Sequence, residues 1–198
     1  MAAIAISCGL AVLFGFGSVA RAQVQKSGKA TFQVVGQENL ALQKFGDTYY
    51  IGSGTLRGVY HNSAGEGFAH NMGYECSAFF DIPDLPKGVV AAELAACILR
   101  DRDGDAIFTK INCSFASWDE WCGGKIVSGT GKYAGISGTI RTKRFVGGAN
   151  SYRRSCIASP KPEDCKAFYG SGAQVTVGTT YALEGLGTQL DEWEWKIP

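Results

Sequence analysis

Apolar and polar residues alternate with a period of two along most of this chain, and helical periodicity is almost absent. Period two marks a strand with one buried face, because successive side chains point to opposite sides of a sheet. In AQVTVGTTYALE, Ala173, Val175, Val177, Thr179, Tyr181 and Leu183 fall on one side, with Gln174, Thr176, Thr180 and Glu184 on the other. DEWEWKI repeats the pattern, with Trp193, Trp195 and Ile197 opposed to Glu192, Glu194 and Lys196. Further strands are predicted over 30–35, 48–52, 55–61, 68–81, 89–100, 105–115, 124–128 and 137–145. Strands in this number, without helices to cover a sheet, predict an all-β fold: a closed antiparallel barrel of about eight strands, since closure removes exposed edges.

Two hairpins follow from turn chemistry. If Cys76 is bonded to Cys97, antiparallel pairing centres a turn between Pro86 and Lys87, inside PDLPKG, a stretch rich in turn formers. That register puts His70, Met72, Tyr74, Ala78 and Phe80 on one face with Ala91, Glu93, Ala95 and Leu99, and this more apolar face is expected inward. The next turn lies in DRDGD. A two-residue turn there would set Cys97 against Lys110 and send Phe108 inward, against the alternation Ile107, Thr109, Ile111, Cys113, Phe115. A three-residue turn with a bulge at Gly104 restores the parity.

Composition adds the compartment. The first 22 residues are small and apolar and end in Ala20-Arg21-Ala22, the pattern of a cleaved export signal, so residues 23–198 are read as one mature domain in the periplasm or secreted. No later segment is long and apolar enough to span a membrane. Losing Arg21 leaves 18 basic and 18 acidic residues, and a neutral chain has no electrostatic case for nucleic acid. The basic cluster Arg141, Lys143, Arg144, Arg153 and Arg154 and the acidic tail Asp191, Glu192 and Glu194 both read as solvated faces. Of seven cysteines, Cys8 leaves with the signal. The other six imply disulfides in an oxidising compartment, and among fifteen connectivities spacing favours Cys76 with Cys97, Cys113 with Cys122, and Cys156 with Cys165. No C-x-x-C occurs, and His61 and His70 are distant in sequence from the cysteine pairs, so no metal centre and no cofactor are expected.

The glycine-rich run GTGKYAGISGT matches a dinucleotide fingerprint by letter, from Gly129 through Gly131 to Ala134. A phosphate loop needs a strand before it and a helix after it, whereas here a strand resumes at once. The run reads instead as a barrel corner, in which Gly129, Gly131, Gly135 and Gly138 allow positive φ and close approach while Tyr133 and Ile136 plug the barrel end. Preceded and followed by strands, it resembles the corner of the allene oxide cyclase and dirigent superfamily, a calycin-like barrel group. The order His70-Asn71-Met72-Gly73 to Cys76, Cys97 to Phe108, Gly129 to Gly138 and Trp193 to Pro198 also resembles a group of small exported bacterial proteins. The resemblance covers roughly 50–198. It implies an eight-stranded barrel around an apolar cavity that works without a cofactor, cyclising a reactive epoxide or orienting radicals made elsewhere.

The chemistry-bearing residues are few. His70 and Glu93 are the candidate acid–base groups, and with Tyr74 and Tyr181 they are the candidate ligand-binding set inside the barrel. A one-residue slip would exchange the faces and leave His70 at the rim and Glu93 in solvent. Asp101, Asp103 and Asp105 alternate as calcium ligands do, but position 112, where a closing Glu would stand, is Asn, and Asp-Gly is equally what a hairpin demands. The leading function is therefore binding of a small hydrophobic or aromatic molecule in the interior. A cofactor-free isomerase, cyclase or dirigent-type protein is the second reading and a structural envelope protein with a filled barrel the third. Oligomeric state stays open.

Overall fold

The computed structural model describes residues 24–84, 89–116, 120–145, 151–158 and 180–198, with side chains for all of these but 115, 144–145, 151–158 and 180–188. The strands are β1 (Ser27–Lys44), β2 (Tyr50–Asn62), β3 (Met72–Ile82), β4 (Val90–Arg100), β5 (Ala106–Phe115), β6 (Cys122–Gly129), β7 (Ser137–Phe145), β8 (Ser151–Ala158) and β9 (Thr180–Lys196). From β1 to β7 each strand pairs antiparallel with the next. β9 then pairs with β7 on one edge and with β1 on the other, which closes a barrel of eight strands. β8 extends β7 along the same edge of β9: Phe145 faces Thr188, and Ser151 next faces Leu186.

The barrel is strongly staggered. Followed strand by strand from Glu38, the ladder passes Leu56, Cys76, Cys97, Thr109, Ile126, Gly138 and Trp195 and returns to β1 at Gly28, ten positions from its start. A stagger of this kind accompanies the strand tilt, typically about 35–45°, that lets eight strands close.

Both predicted hairpins form in the expected register. Cys76 lies opposite Cys97 and the two are bonded, and a bridge between Asp84 and Val89 continues the ladder toward the turn. Across the next turn Cys97 faces Thr109, Asp101 and Asp105 close a three-residue loop, and Gly104 takes φ +86°, as the bulge requires. Cys113 is bonded to Cys122. Residues 1–22, read from the sequence as an export signal, with Cys8, the tip of the PDLPKG turn at Pro86 and Lys87, positions 173–179 and Cys165 all lie outside the described residues, and so does the side chain of Cys156.

The structure departs from the sequence reading along several strands. The segments 48–52 and 55–61 are one strand, β2: Gly52 and Gly54 do not break it, because Leu42 and Leu40 of β1 occupy the space where side chains at these positions would stand. β1 runs on past residue 35 to Lys44. β8 was not foreseen, and the two C-terminal strands are a single strand from Thr180. A bulge between Val90 and Glu93 turns Ala91 outward and puts Val90 inside.

One end of the barrel is packed with aromatic rings. Phe32, Tyr60 and Trp193 meet edge to face at 5.5–5.7 Å, Tyr74 joins Tyr60 at 5.3 Å, and Phe68 stacks on Trp195 at 3.8 Å. The glycine corner completes this plug. After a single 3-10 turn (Gly131–Tyr133), Tyr133 and Ile136 are buried, Gly131 and Gly135 have φ of +53° and +78°, and β7 begins at Ser137.

Candidate functional site in the barrel interior

Even-numbered residues of β1, β2 and β3 face inward, so the interior wall is fixed by parity. Along β1 these are Phe32, Val34, Gly36, Glu38, Leu40, Leu42 and Lys44, an apolar stripe interrupted by two charges. Glu38 and Lys44 are buried with their neighbours, and from β4 so is Glu93. Each of the three has a partner in the fold. Glu38 shares a ladder row with the buried Cys76–Cys97 bridge. Glu93 stands one inward position beyond Ala95, opposite Phe80 and Cys113.

Deeper, above the aromatic plug, lies a carboxylate that no water reaches. Asp191, 0% exposed, accepts hydrogen bonds from Tyr60 Oη at 2.7 Å and Trp193 Nε1 at 3.3 Å on one oxygen and from Gln189 Nε2 at 3.1 Å on the other. Burial pushes its carboxyl pKa up, against the pull of these donors. Burial, then the neighbouring Asp191 charge, likewise holds the Tyr60 phenol well above its usual range, so Tyr60 remains a donor. Asp191 therefore is not part of a solvated acidic face. Its neighbours Glu192 and Glu194 are: they pair with Arg141 at 2.9 Å and Lys29 at 3.0 Å on the outer surface. These pairs border an open outer groove of about 790 Å³.

Tyr74 is buried inside, as its parity requires. Gly187, Gly36 and Gly58 form one ladder row that ends on Tyr74, and the Tyr74 ring lies across Gly58 and Gly36, its hydroxyl where a Gly36 side chain would be. His70 is not on this wall. It sits in the β2–β3 loop, half-buried, between Ala69 and Asn71, both in left-handed conformations at φ +54° and +59°. Glu93 is level with Phe80, eight positions along β3 from its first residue, or about 26 Å at roughly 3.3 Å per residue. His70 and Glu93 thus lie toward opposite ends of the barrel and do not form a pair. Tyr181 faces Leu42 of β1 in the ladder, and its side chain is outside the described set.

The acidic turn and the corner are docked on each other. Lys132 Nζ meets Asp101 and Asp103 at 2.6 Å, Lys132 N donates to Asp105 Oδ2 at 3.2 Å, and Thr130 Oγ1 accepts from Ala106 N at 2.8 Å. An ammonium thus stands where the alternating carboxylates invited calcium. No helix leaves the corner, so the geometry of a phosphate loop is missing there. Among the described residues no group of three or more His, Cys, Asp or Glu side chains is disposed to hold a metal, and no helix is long and apolar enough to cross a membrane.

The fold and its lining define a disulfide-braced, closed eight-stranded β-barrel with an aromatic plug at one end and buried charges on its inner wall. No family model, curated protein or solved structure matches the chain.

Proposed function

We propose that this is an exported barrel that binds a small apolar or aromatic molecule in the half of its interior away from the aromatic plug. The carrying observation is the asymmetry of the inner wall. Toward the β1–β2 turn, Leu40, Leu42, Gly52 and Gly54 share the inner wall with the buried Glu38, Lys44 and Glu93 and with Tyr50 and Phe80, whereas at the other end the rings pack against one another and fill the space. Charged groups inside a barrel packed only with its own side chains cost more than apolar ones of the same size, even when paired. A lumen that must orient a ligand needs a few polar groups on an apolar wall. The two disulfides suit an oxidising compartment and so support export. The closed barrel and its glycine corner support the likeness to the allene oxide cyclase and dirigent group, whose cofactor-free steering of a reactive intermediate is the second reading here, with Glu93 moving the proton.

Ala78, small and inward between Cys76 and Phe80, tests the proposal. A hydrophobic fluorophore is expected to saturate on the native barrel. Ala78→Phe should keep the fold and weaken uptake at least tenfold. A barrel filled by its own side chains would take up no probe, and Ala78→Phe would then cost about 1–3 kcal/mol through overpacking. That pair of results would refute binding. For the second reading, Glu93→Gln must abolish turnover of a bound reactive substrate while probe affinity stays within a few fold.

A further inference from the structure

The chain has two histidines, and folding brings them together at the edge of the plugged end. His61 is exposed near the end of β2, and His70 comes back to it from the β2–β3 loop, with ring centroids 6.2 Å apart and planes inclined by 63°. We propose that His61 and His70 form a surface site for a late divalent transition metal, copper(II) above all, with water in the remaining positions.

Three observations carry this. The first is spacing: two imidazoles that bind one ion at about 2.0–2.1 Å from each nitrogen hold their centroids roughly 4.5 Å apart when cis and about 6.4 Å apart when trans, so the pair at 6.2 Å already has the span of a wide-angle site on one metal. The second is orientation. Asn71 Oδ1 lies 2.9 Å from His61 Nδ1, and an amide oxygen only accepts, so the proton is fixed on Nδ1 and the lone pair is left on Nε2. Metal-binding histidines are prepared in this way, by a carbonyl that takes the other N–H. The third lies at His70. Its Nδ1 is buried, which leaves Nε2 as the nitrogen for a water-ligated ion, and both its flanking residues hold left-handed backbone without being glycine. Such backbone costs of order 1 kcal/mol or more per residue and is found where a side chain must be held in place. Imidazole nitrogen suits copper, nickel and zinc, and affinity at a site of given ligands peaks at copper(II). No cysteine takes part, so the spacing argument against a cysteine–histidine zinc centre does not bear on this pair.

The test is titration of the untagged chain, free of any added histidine tag, with copper(II) in a non-coordinating buffer, followed by calorimetry and electron paramagnetic resonance. The expected result is one ion per chain with a spectrum split by two nitrogens, affinity falling at least thirtyfold in both His61→Asn and His70→Asn, and about tenfold in Asn71→Ala. Circular dichroism checks that each variant is folded. No saturable binding, binding unchanged in either histidine variant, or a spectrum showing one nitrogen would each overturn the site.

Discussion

Asp191 shows how much one position can cost and how it announces itself. Its alternation with Trp193 and Trp195 already places it on the inner face, but a carboxylate beside two further acids looks like surface. Only the packed interior, with Tyr60, Trp193 and Gln189 converging on it, explains its burial. Because burial raises its folded-state pKa above the ordinary carboxylate range, its contribution to stability is greatest at low pH and is lost as pH rises through the raised value. Asp191→Asn should therefore gain on the wild type between about pH 4 and neutrality, where unfolded carboxyls are already ionised, as read from urea midpoints across that range. An unchanged difference would mean the carboxylate is as well solvated folded as unfolded. The glycine row is a second single-residue device. A Cβ on Gly58 would meet the Val35 carbonyl and, at 2.8 Å, the Tyr74 ring. Gly58→Ala is expected to cost about 1–3 kcal/mol by overpacking, measured by chemical denaturation. Glu38 and Lys44 escaped the sequence reading for a related reason: charges on an alternating stripe erase the contrast by which a strand is seen.

Turns were more legible than strand ends. Asp103-Gly104 and the glycine corner dictate backbone conformation through residues that few others can replace, so parity places the first and the immediate return of a strand the second. Strand β2 was divided because glycine normally weakens a strand, whereas here Gly52 and Gly54 admit Leu42 and Leu40 from the neighbouring strand, a contact between segments that no local pattern records. Ala91 fell on the wrong face because a bulge adds a residue without any compositional sign. The docking of the β4–β5 turn on the corner gives a prediction at this scale. Lys132 and Asp101 are partly shielded while Asp103 is largely exposed, so Lys132→Met should lose about 1 kcal/mol. The loss should shrink in high salt, and amide exchange should quicken at Asp103 and Gly104. Equal losses at low and high salt would assign the effect to packing of the lysine stem instead.

The barrel as a whole is braced unevenly. Cys76–Cys97 lies on the inner wall with both residues buried, whereas Cys122 is only half-buried at the mouth of β6. Under mild reductant the Cys113–Cys122 bridge should open first, since exchange needs access to sulfur, and mass spectrometry after alkylation reads the order directly. Removing Cys76–Cys97, which ties a 21-residue separation, should lower stability by about 3 kcal/mol. Long-range topology was legible only in outline: alternation predicts closure, but not which strand performs it. That strand is β9, bound along one edge to β1, the two lying at opposite ends of the described residues. A nascent chain lacking β9 is thus an open sheet with a raw border at either side, and the ring cannot snap shut until residues 180–196 have joined β7 to β1. Contacts between such remote segments make for slow folding, so the hairpins from β1 to β7 can form early while the seam between β1 and β9 sets the pace.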